Sequence, residues 1–168
     1  IKECGMGRSQ VVRIIKEQSF MGFRAFFAHE RNTTSALALE DSTVAALPLD
    51  IMAELIEMHH SITDYFITIL ATTLGETDNR FVTITQKHIR GRLAETILAL
   101  KANYGIENDD KTLNVIMNRY DLASLSNMST SNAIRTLSSF ASEGLIEISG
   151  RKIRILSEEE LAKISRLG

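Results

Sequence analysis

The chain has 168 residues, of which 44% are apolar and 24% charged, the composition of an ordinary soluble globular protein. No apolar run is long enough to cross a membrane, no secretory signal is visible, and Cys4 is the single cysteine, so we expect a cytoplasmic protein without disulfides. Residues 1–79 carry six basic and eleven acidic side chains, whereas residues 80–168 carry thirteen basic and ten acidic ones. Although such a swing also arises by chance, the second half is the better candidate for binding a polyanion.

The first fifty residues predict β-structure. Residues 11–15 form a β-branched run, and residues 35–39 and 43–47 are two half-buried strands that a short polar turn joins into a hairpin. The second strand ends at Pro48, the only proline.

After this proline the apolar period becomes helical. Asp50 can cap a short helix that ends near His59, and Ser61 and Asp64 are placed to open a longer one. The longer helix is amphipathic and can pack either on its own domain or on a second copy, and its spacing leaves both alternatives open. Its apolar stripe consists of Ile62, Phe66, Ile69 and Thr73, and Leu70 and Leu74 widen it.

A third helix is predicted over residues 89–104, with Gly105 as its terminator. A polar loop at residues 107–111 and a short strand at residues 112–116 follow.

Two short helices joined by a tight turn are predicted next. Asn118 caps the first helix, Asn127 takes the turn position that tolerates positive φ, and Ser129 caps a second helix that runs from Thr130 to about residue 143. This arrangement is a helix-turn-helix. Two alternating strands around a Ser149-Gly150 turn then form a hairpin with basic residues at its tip, which completes a winged helix.

The second helix of the pair has the side chains that reading a DNA groove requires. From Ser129 to Phe140 it contains no acid, and it presents short polar groups and one cation. The alternative interpretation is a merely solvated helix face, but the capped helix pair, the missing acids and the basic hairpin coincide. The candidate DNA contacts are Arg119, Ser129, Thr130, Ser131, Asn132, Arg135, Arg151 and Lys152.

These residues resemble a known family. The Leu122-Ala123 pair, Ser129 at the start of the second helix, Arg135 within it and the Glu-Gly-Leu-Ile sequence at residues 143–146 resemble the cyclic-AMP receptor protein/FNR-type (Crp/Fnr) superfamily of transcription regulators. Upstream, residues 20–22 and 34–36 resemble the phosphate-binding cassette of the cyclic-nucleotide-binding β-roll. In the family a sizeable part of the roll precedes this cassette, so we expect the natural protein to extend upstream of Ile1.

The resemblance implies an α+β chain in three parts. Residues 1–60 would be the C-terminal part of a β-roll sensor, residues 61–88 a long dimerisation helix and hinge, and residues 89–168 a winged-helix DNA-binding domain. The implied dimer interface on the long helix consists of Ile62, Phe66, Ile69 and Thr73. The implied function is a dimeric, sequence-specific DNA-binding regulator, with RNA polymerase and a small-molecule effector as further candidate partners. The other hypothesis is a sensor or protein-interaction module that has lost DNA binding.

The effector is not identified by the resemblance. Members that bind cyclic AMP have a glutamate and an arginine where this chain has Phe23 and Thr34, so cyclic AMP is not expected to bind. A lone cysteine excludes the four-cysteine iron–sulfur cluster of the oxygen-sensing branch, and we expect no metal at the scattered histidines, although a haem ligand among His29, His59, His60 and His88 stays open. The implied effector-pocket residues are Gly22, Phe23, Thr34, Ser35, Thr77 and Asp78.

An enzyme is not expected. The sequence shows no pairing of a nucleophile with a base, no metal-ligand spacing, no Walker-type phosphate loop and no paired catalytic carboxylates.

Overall fold

The computed structural model describes residues 1–3, 9–39 and 41–168. They form two compact units, which we call the winged-helix unit (residues 1–16 and 83–168) and the aromatic unit (residues 17–82). In chain order the elements are β1 (Lys2–Glu3), β2 (Ser9–Gln10), α1 (Phe23–Phe27), α2 (Leu49–Met58), α3 (His60–Gln86), α4 (Ile89–Tyr104), α5 (Arg119–Leu125), α6 (Thr130–Ser142), β3 (Ile146–Ser149), β4 (Lys152–Ile155) and α7 (Glu158–Leu167). The second boundary between the units lies inside α3, between residues 82 and 83.

The core of the winged-helix unit is formed by one apolar face from each of α4, α5, α6 and α7, closed by the β3–β4 hairpin. Complete burial of large aliphatic and aromatic side chains is the main favourable term in folding such a unit. The large side chains of this unit with at most 1% exposure are Leu93, Ile97, Leu113, Leu122, Leu137, Phe140, Ile146 and Leu161.

Local residues determine where the helices of this unit begin and end. The Asn118 side chain accepts a hydrogen bond from the backbone N–H of Asp121 at 2.8 Å and thereby caps α5. Asn127 has φ 49° in the turn between α5 and α6, as predicted. Gly105 has φ 73° and donates its N–H to the Lys101 carbonyl, which ends α4 at the predicted residue.

The hairpin is also confirmed. Ile146 pairs with Ile155 and Ser149 with Lys152 in an antiparallel ladder, and Gly150 takes φ 58° in the turn. The strand predicted at residues 112–116 was too long: Thr112 and Leu113 form only isolated bridges, to Arg154 and Ile106 respectively. Helix α7, which packs on α4, was not predicted.

The aromatic unit is built around one buried ring. Phe66 of α3 is 2% exposed, and its ring centroid lies 5.2 Å from that of Phe20, 5.7 Å from Phe23, 5.4 Å from Phe27 and 5.4 Å from Tyr65. Such tilted and edge-on pairs are favoured because the positive edge of one ring meets the negative face of another.

The strands predicted at residues 11–15, 35–39 and 43–47 are wrong for this structure, in which residues 11–22, 30–39 and 41–48 contain no strand. Leu37 and Val44 are 65% and 67% exposed. Alternating apolar residues favour a strand only where one face is buried, and a two-stranded hairpin alone is marginal in water. The start of α3 was also predicted slightly late, because the helix begins at His60 and Ser61 lies within its first turn.

Candidate nucleic-acid interface

Helix α6 begins at a cap built from short hydroxyl side chains. The Oγ of Ser129 accepts a hydrogen bond from the backbone N–H of Asn132 at 3.3 Å and lies 3.2 Å from the Oγ of Ser131. This cap satisfies one of the N–H groups left open at a helix start, and the remaining ones carry partial positive charge that favours an anion. Thr130 lies half-buried in the same turn.

The two faces of α6 have opposite character. Its inner face is buried in the core through Ala133, Thr136, Leu137 and Phe140. Its outer face exposes Ser131, Ile134, Arg135, Ser138 and Ser142, and no residue of the helix from Thr130 to Ser142 is acidic. The solvent side of α6 therefore lacks any group that would repel a phosphate backbone.

Two of the predicted basic residues are exposed and unneutralised. Arg135 of α6 and Arg151 at the hairpin tip are exposed, and neither forms an ion pair or side-chain hydrogen bond with the described part of the chain. A guanidinium in this condition keeps its planar set of donors for a guanine edge or a phosphate.

Lys152, unlike these two arginines, is paired with a carboxylate. Its Nζ lies 2.6 Å and 2.9 Å from the two carboxylate oxygens of Glu107, in the loop after α4. The next basic residue on the strand, Arg154, is likewise paired, with Glu147 at 3.2 Å and Asp109 at 3.6 Å. Lys152 was predicted to contact DNA as a free cation, because Glu107 is 45 residues away in sequence and spacing along the chain does not reveal the pair.

Arg119 at the start of α5 holds the hairpin turn. Its Nη2 donates a hydrogen bond to the Gly150 carbonyl at 2.9 Å, and its Nη1 is buried without a hydrogen-bond partner among the described residues. Arg119 thus links the first helix of the pair to the turn that carries Arg151.

A second link joins α4 to the far end of α6, and sequence reasoning missed it. The guanidinium of Arg90 donates hydrogen bonds to both carboxylate oxygens of Glu143, at 2.9 Å and 2.7 Å. It also donates to the Oγ of Ser139 at 2.6 Å and lies 4.9 Å from the centroid of the Phe140 ring. The hydrogen bonds from Arg90, and then from Ser139, lower the pKa of Glu143 to about 2. The same pair raises the pKa of Arg90. A carboxylate at a helix C-terminus is unfavourable by itself, and the Arg90 fork compensates it while holding the helix end.

The six predicted effector-pocket residues are all in the aromatic unit. Gly22 has φ 83° at the start of α1, Phe23 packs on the Phe66 ring, Thr34 and Ser35 are exposed, and Thr77 and Asp78 lie on exposed positions of α3. A cavity of about 200 Å³ in this unit is not lined by any of the six; its walls include Phe20, Leu47, Met52, Leu55 and Tyr65.

The predicted dimer stripe on α3 divides into two groups. Phe66 packs inside its own aromatic unit, whereas Ile62, Ile69 and Thr73 are half-buried. The most exposed large apolar residues on the first four turns of the helix are Ile67, at 57%, and Leu74, at 63%.

The described residues contain no cluster of three or more His, Cys, Asp or Glu side chains arranged to hold a metal ion. They also contain no helix that combines the length and the apolar character needed to span a membrane. Cys4 lies outside the described residues.

Comparison with known proteins agrees with this geometry. Residues 91–164 match the family model of the Crp-like helix-turn-helix domain, and residues 2–59 match that of the cyclic nucleotide-binding domain. A CRP-like cAMP-activated global transcriptional regulator of Mycobacterium tuberculosis is 24% identical over 162 residues, which are 95% of this chain and 72% of the relative. Electron transport regulator A of Shewanella oneidensis is 24% identical over 156 residues, 92% of this chain and 62% of that protein.

Among solved structures, FixK2 from Bradyrhizobium japonicum superimposes with a TM-score of 0.63 at 15% identity, over 69% of this chain and 58% of FixK2. The chain thus spans less than two thirds of that structure, and at this identity the likeness shows the fold. Both family models and the two sequence relatives agree with the capped helix pair and its hairpin. The chain belongs to the Crp/Fnr family of transcription regulators.

Proposed function

We propose that this chain binds double-stranded DNA sequence-specifically and regulates transcription as a homodimer. The observation that carries the proposal is the outer face of α6, which is free of acids and presents an unneutralised Arg135. Such a regulator would act on the bacterial chromosome in the cytoplasm. We assign no catalytic role to any of its residues.

Each predicted contact has a role in this proposal. The start of α6, with Ser129 and Thr130, holds a phosphate; Ser131, Asn132 and Arg135 face base edges in the major groove. Arg151 contacts the backbone from the hairpin tip, and Arg119 acts by holding the turn. Lys152 stays paired with Glu107 and would reach the backbone only without that carboxylate.

The homodimer is proposed to form along α3. Ile67 and Leu74 are exposed and seven residues apart, with the half-buried Leu70 between them, which is the spacing of a seam between two helices. Because Phe66 is buried in its own unit, we move the centre of the proposed interface from Phe66 to these three residues. Two winged helices in a dimer would read half-sites about one DNA turn apart.

The sensor is proposed not to respond to cyclic AMP, unlike the Mycobacterium tuberculosis relative, which is named as cAMP-activated. Phe23 is packed against the Phe66 ring, and Thr34 offers a neutral hydroxyl, so neither supplies the carboxylate or the guanidinium that a cyclic nucleotide needs. A thermal-shift titration with cyclic AMP is expected to leave the melting temperature unchanged, and a saturable rise would refute this part.

The DNA proposal is tested by selecting bound duplexes from a random pool and measuring affinity for the selected site over a range of salt concentrations. Arg135→Ala is expected to weaken specific binding about 5- to 150-fold, the equivalent of about 1–3 kcal/mol, and to relax the preference at one base pair. Arg166→Ala is the matched control, because Arg166 is an exposed arginine on α7. If the folded chain binds no duplex even at low salt, the alternative of a sensor or interaction module replaces the proposal.

The dimer is tested by sedimentation. Ile67→Glu combined with Leu74→Glu is expected to convert a dimer to a monomer, whereas Leu167→Glu, at an exposed leucine on α7, leaves the dimer intact. A wild-type chain that sediments as a monomer would refute the homodimer.

A further inference from the structure

One apolar side chain stands on the outer face of α6. Ile134 is 48% exposed, and it is the only large hydrophobic residue exposed on this helix, all thirteen residues of which are described. It adjoins Arg135 in sequence and lies one turn from Ser131 and from Ser138. Ile134 was not among the predicted DNA contacts, all of which are polar or basic residues.

An isoleucine at this position is unfavourable in the isolated helix. A β-branched side chain has a restricted χ1 in a helix and a lower helix propensity than straight-chain residues, and its exposed methyl groups remain hydrated. The inner face of α6 is already filled by Leu137 and Phe140, so Ile134 adds little to the core. A contact with a molecule outside the chain would remove the apolar surface of Ile134 from water.

The neighbouring hydroxyls on this face are engaged. The Oγ of Ser138 donates to the carbonyl of Ile134 at 3.0 Å, and the hydroxyls of Ser129 and Ser131 face each other at the helix start. Ile134 and Arg135 are the two large exposed side chains in the middle of this face.

The major groove offers one apolar group, the C5-methyl of thymine. We propose that Ile134 is a specificity-determining residue that packs against a thymine methyl, one base-pair step from the base that Arg135 reads. This inference rests on the proposed DNA binding and deepens it: the half-site contains a thymine that is recognised by its methyl group rather than by hydrogen bonds.

The test removes that methyl alone. Each thymine of the selected half-site is replaced in turn by uracil, which keeps the same hydrogen-bonding groups. For wild-type protein, one position is expected to lose about fourfold in affinity, which corresponds to burial of about one methyl group. Ile134→Ala is expected to bind thymine and uracil equally there, whereas Ile134→Val keeps most of the discrimination.

Ile116→Ala is the matched control, since Ile116 is an exposed isoleucine of the same unit outside α6. This variant should retain the fourfold preference for thymine. Equal thymine-to-uracil ratios in the wild type and in Ile134→Ala would overturn the inference while leaving the proposed function standing. Failure of the folded wild type to bind any duplex would overturn both.

Discussion

Glu107 is expected to restrain the affinity of the hairpin for DNA, and Glu107→Gln removes that restraint. Both Glu107 oxygens lie within hydrogen-bond distance of Lys152 Nζ, and the two side chains are partly exposed. An ion pair of this kind stabilises a fold by only about 0–1 kcal/mol, so its loss leaves the winged helix folded. It nevertheless neutralises a cation at the edge of the proposed interface.

The magnitude follows from counterion release. Each phosphate that a protein cation neutralises adds about 0.9 to the slope of log affinity against log salt concentration. In Glu107→Gln, Lys152 has lost its carboxylate partner and can pair with a phosphate. We therefore expect the slope to steepen by about 0.9 for each subunit, or about 1.8 for a dimer.

The assay is a salt titration of fluorescence anisotropy with a labelled random duplex, which isolates the backbone contribution. Asp110→Asn is the control, because it changes the net charge equally, lies in the same loop and has φ 58°, which asparagine tolerates. If Glu107→Gln gives the same slope as Asp110→Asn, Lys152 does not face a phosphate and the reasoning is refuted. Adding Lys152→Gln to Glu107→Gln should return the slope to the wild-type value.

Three further predictions concern stability. Asn118→Ala removes the cap on the Asp121 N–H and should cost about 1 kcal/mol in thermal unfolding, whereas Asn118→Asp should cost much less. Phe140→Ala empties a fully buried site and should cost about 3–5 kcal/mol in urea unfolding; a cost below about 1 kcal/mol would contradict its place in the core. Arg90 lowers the pKa of Glu143 from 4.5 to about 2, so the stabilisation is present above pH 4.5 and is lost as pH falls toward 2. Wild-type stability should therefore fall more than that of Glu143→Gln between pH 5 and pH 2, and parallel pH profiles would contradict this.

The helix-turn-helix and its hairpin could be predicted because each boundary depends on one nearby residue. Asn118 and Ser129 cap helices through hydrogen bonds that span three residues, and Asn127 takes a backbone conformation that few other residues tolerate. Interactions this local are encoded by residue type and spacing. Helix α7 had a comparable signal, three glutamates at its start and Arg166 in its last turn, and it was overlooked.

The strands of the first fifty residues could not be judged in the same way. An alternating run such as residues 35–39 encodes a strand with one face to bury, but the burial itself depends on what packs against it. Here Leu37 stays largely exposed and the segment forms no strand. The sequence also could not show whether each apolar residue of α3 packs in its own domain or against a second helix, since both environments favour the same residue types.

The sequence by itself determined the capped helix pair, the acid-free outer face of α6, the hairpin and the family. Only the tertiary structure decided which charges remain available on that face. Arg135 and Arg151 are unneutralised, whereas Lys152 meets Glu107 from 45 residues away and Arg90 meets Glu143 from 53 residues away. The tertiary structure also buries Phe66 inside the aromatic unit and leaves Ile134 on the surface. Spacing along a helix predicts neighbours three or four residues apart, but a contact between distant segments exists only once the packed core has brought their backbones together.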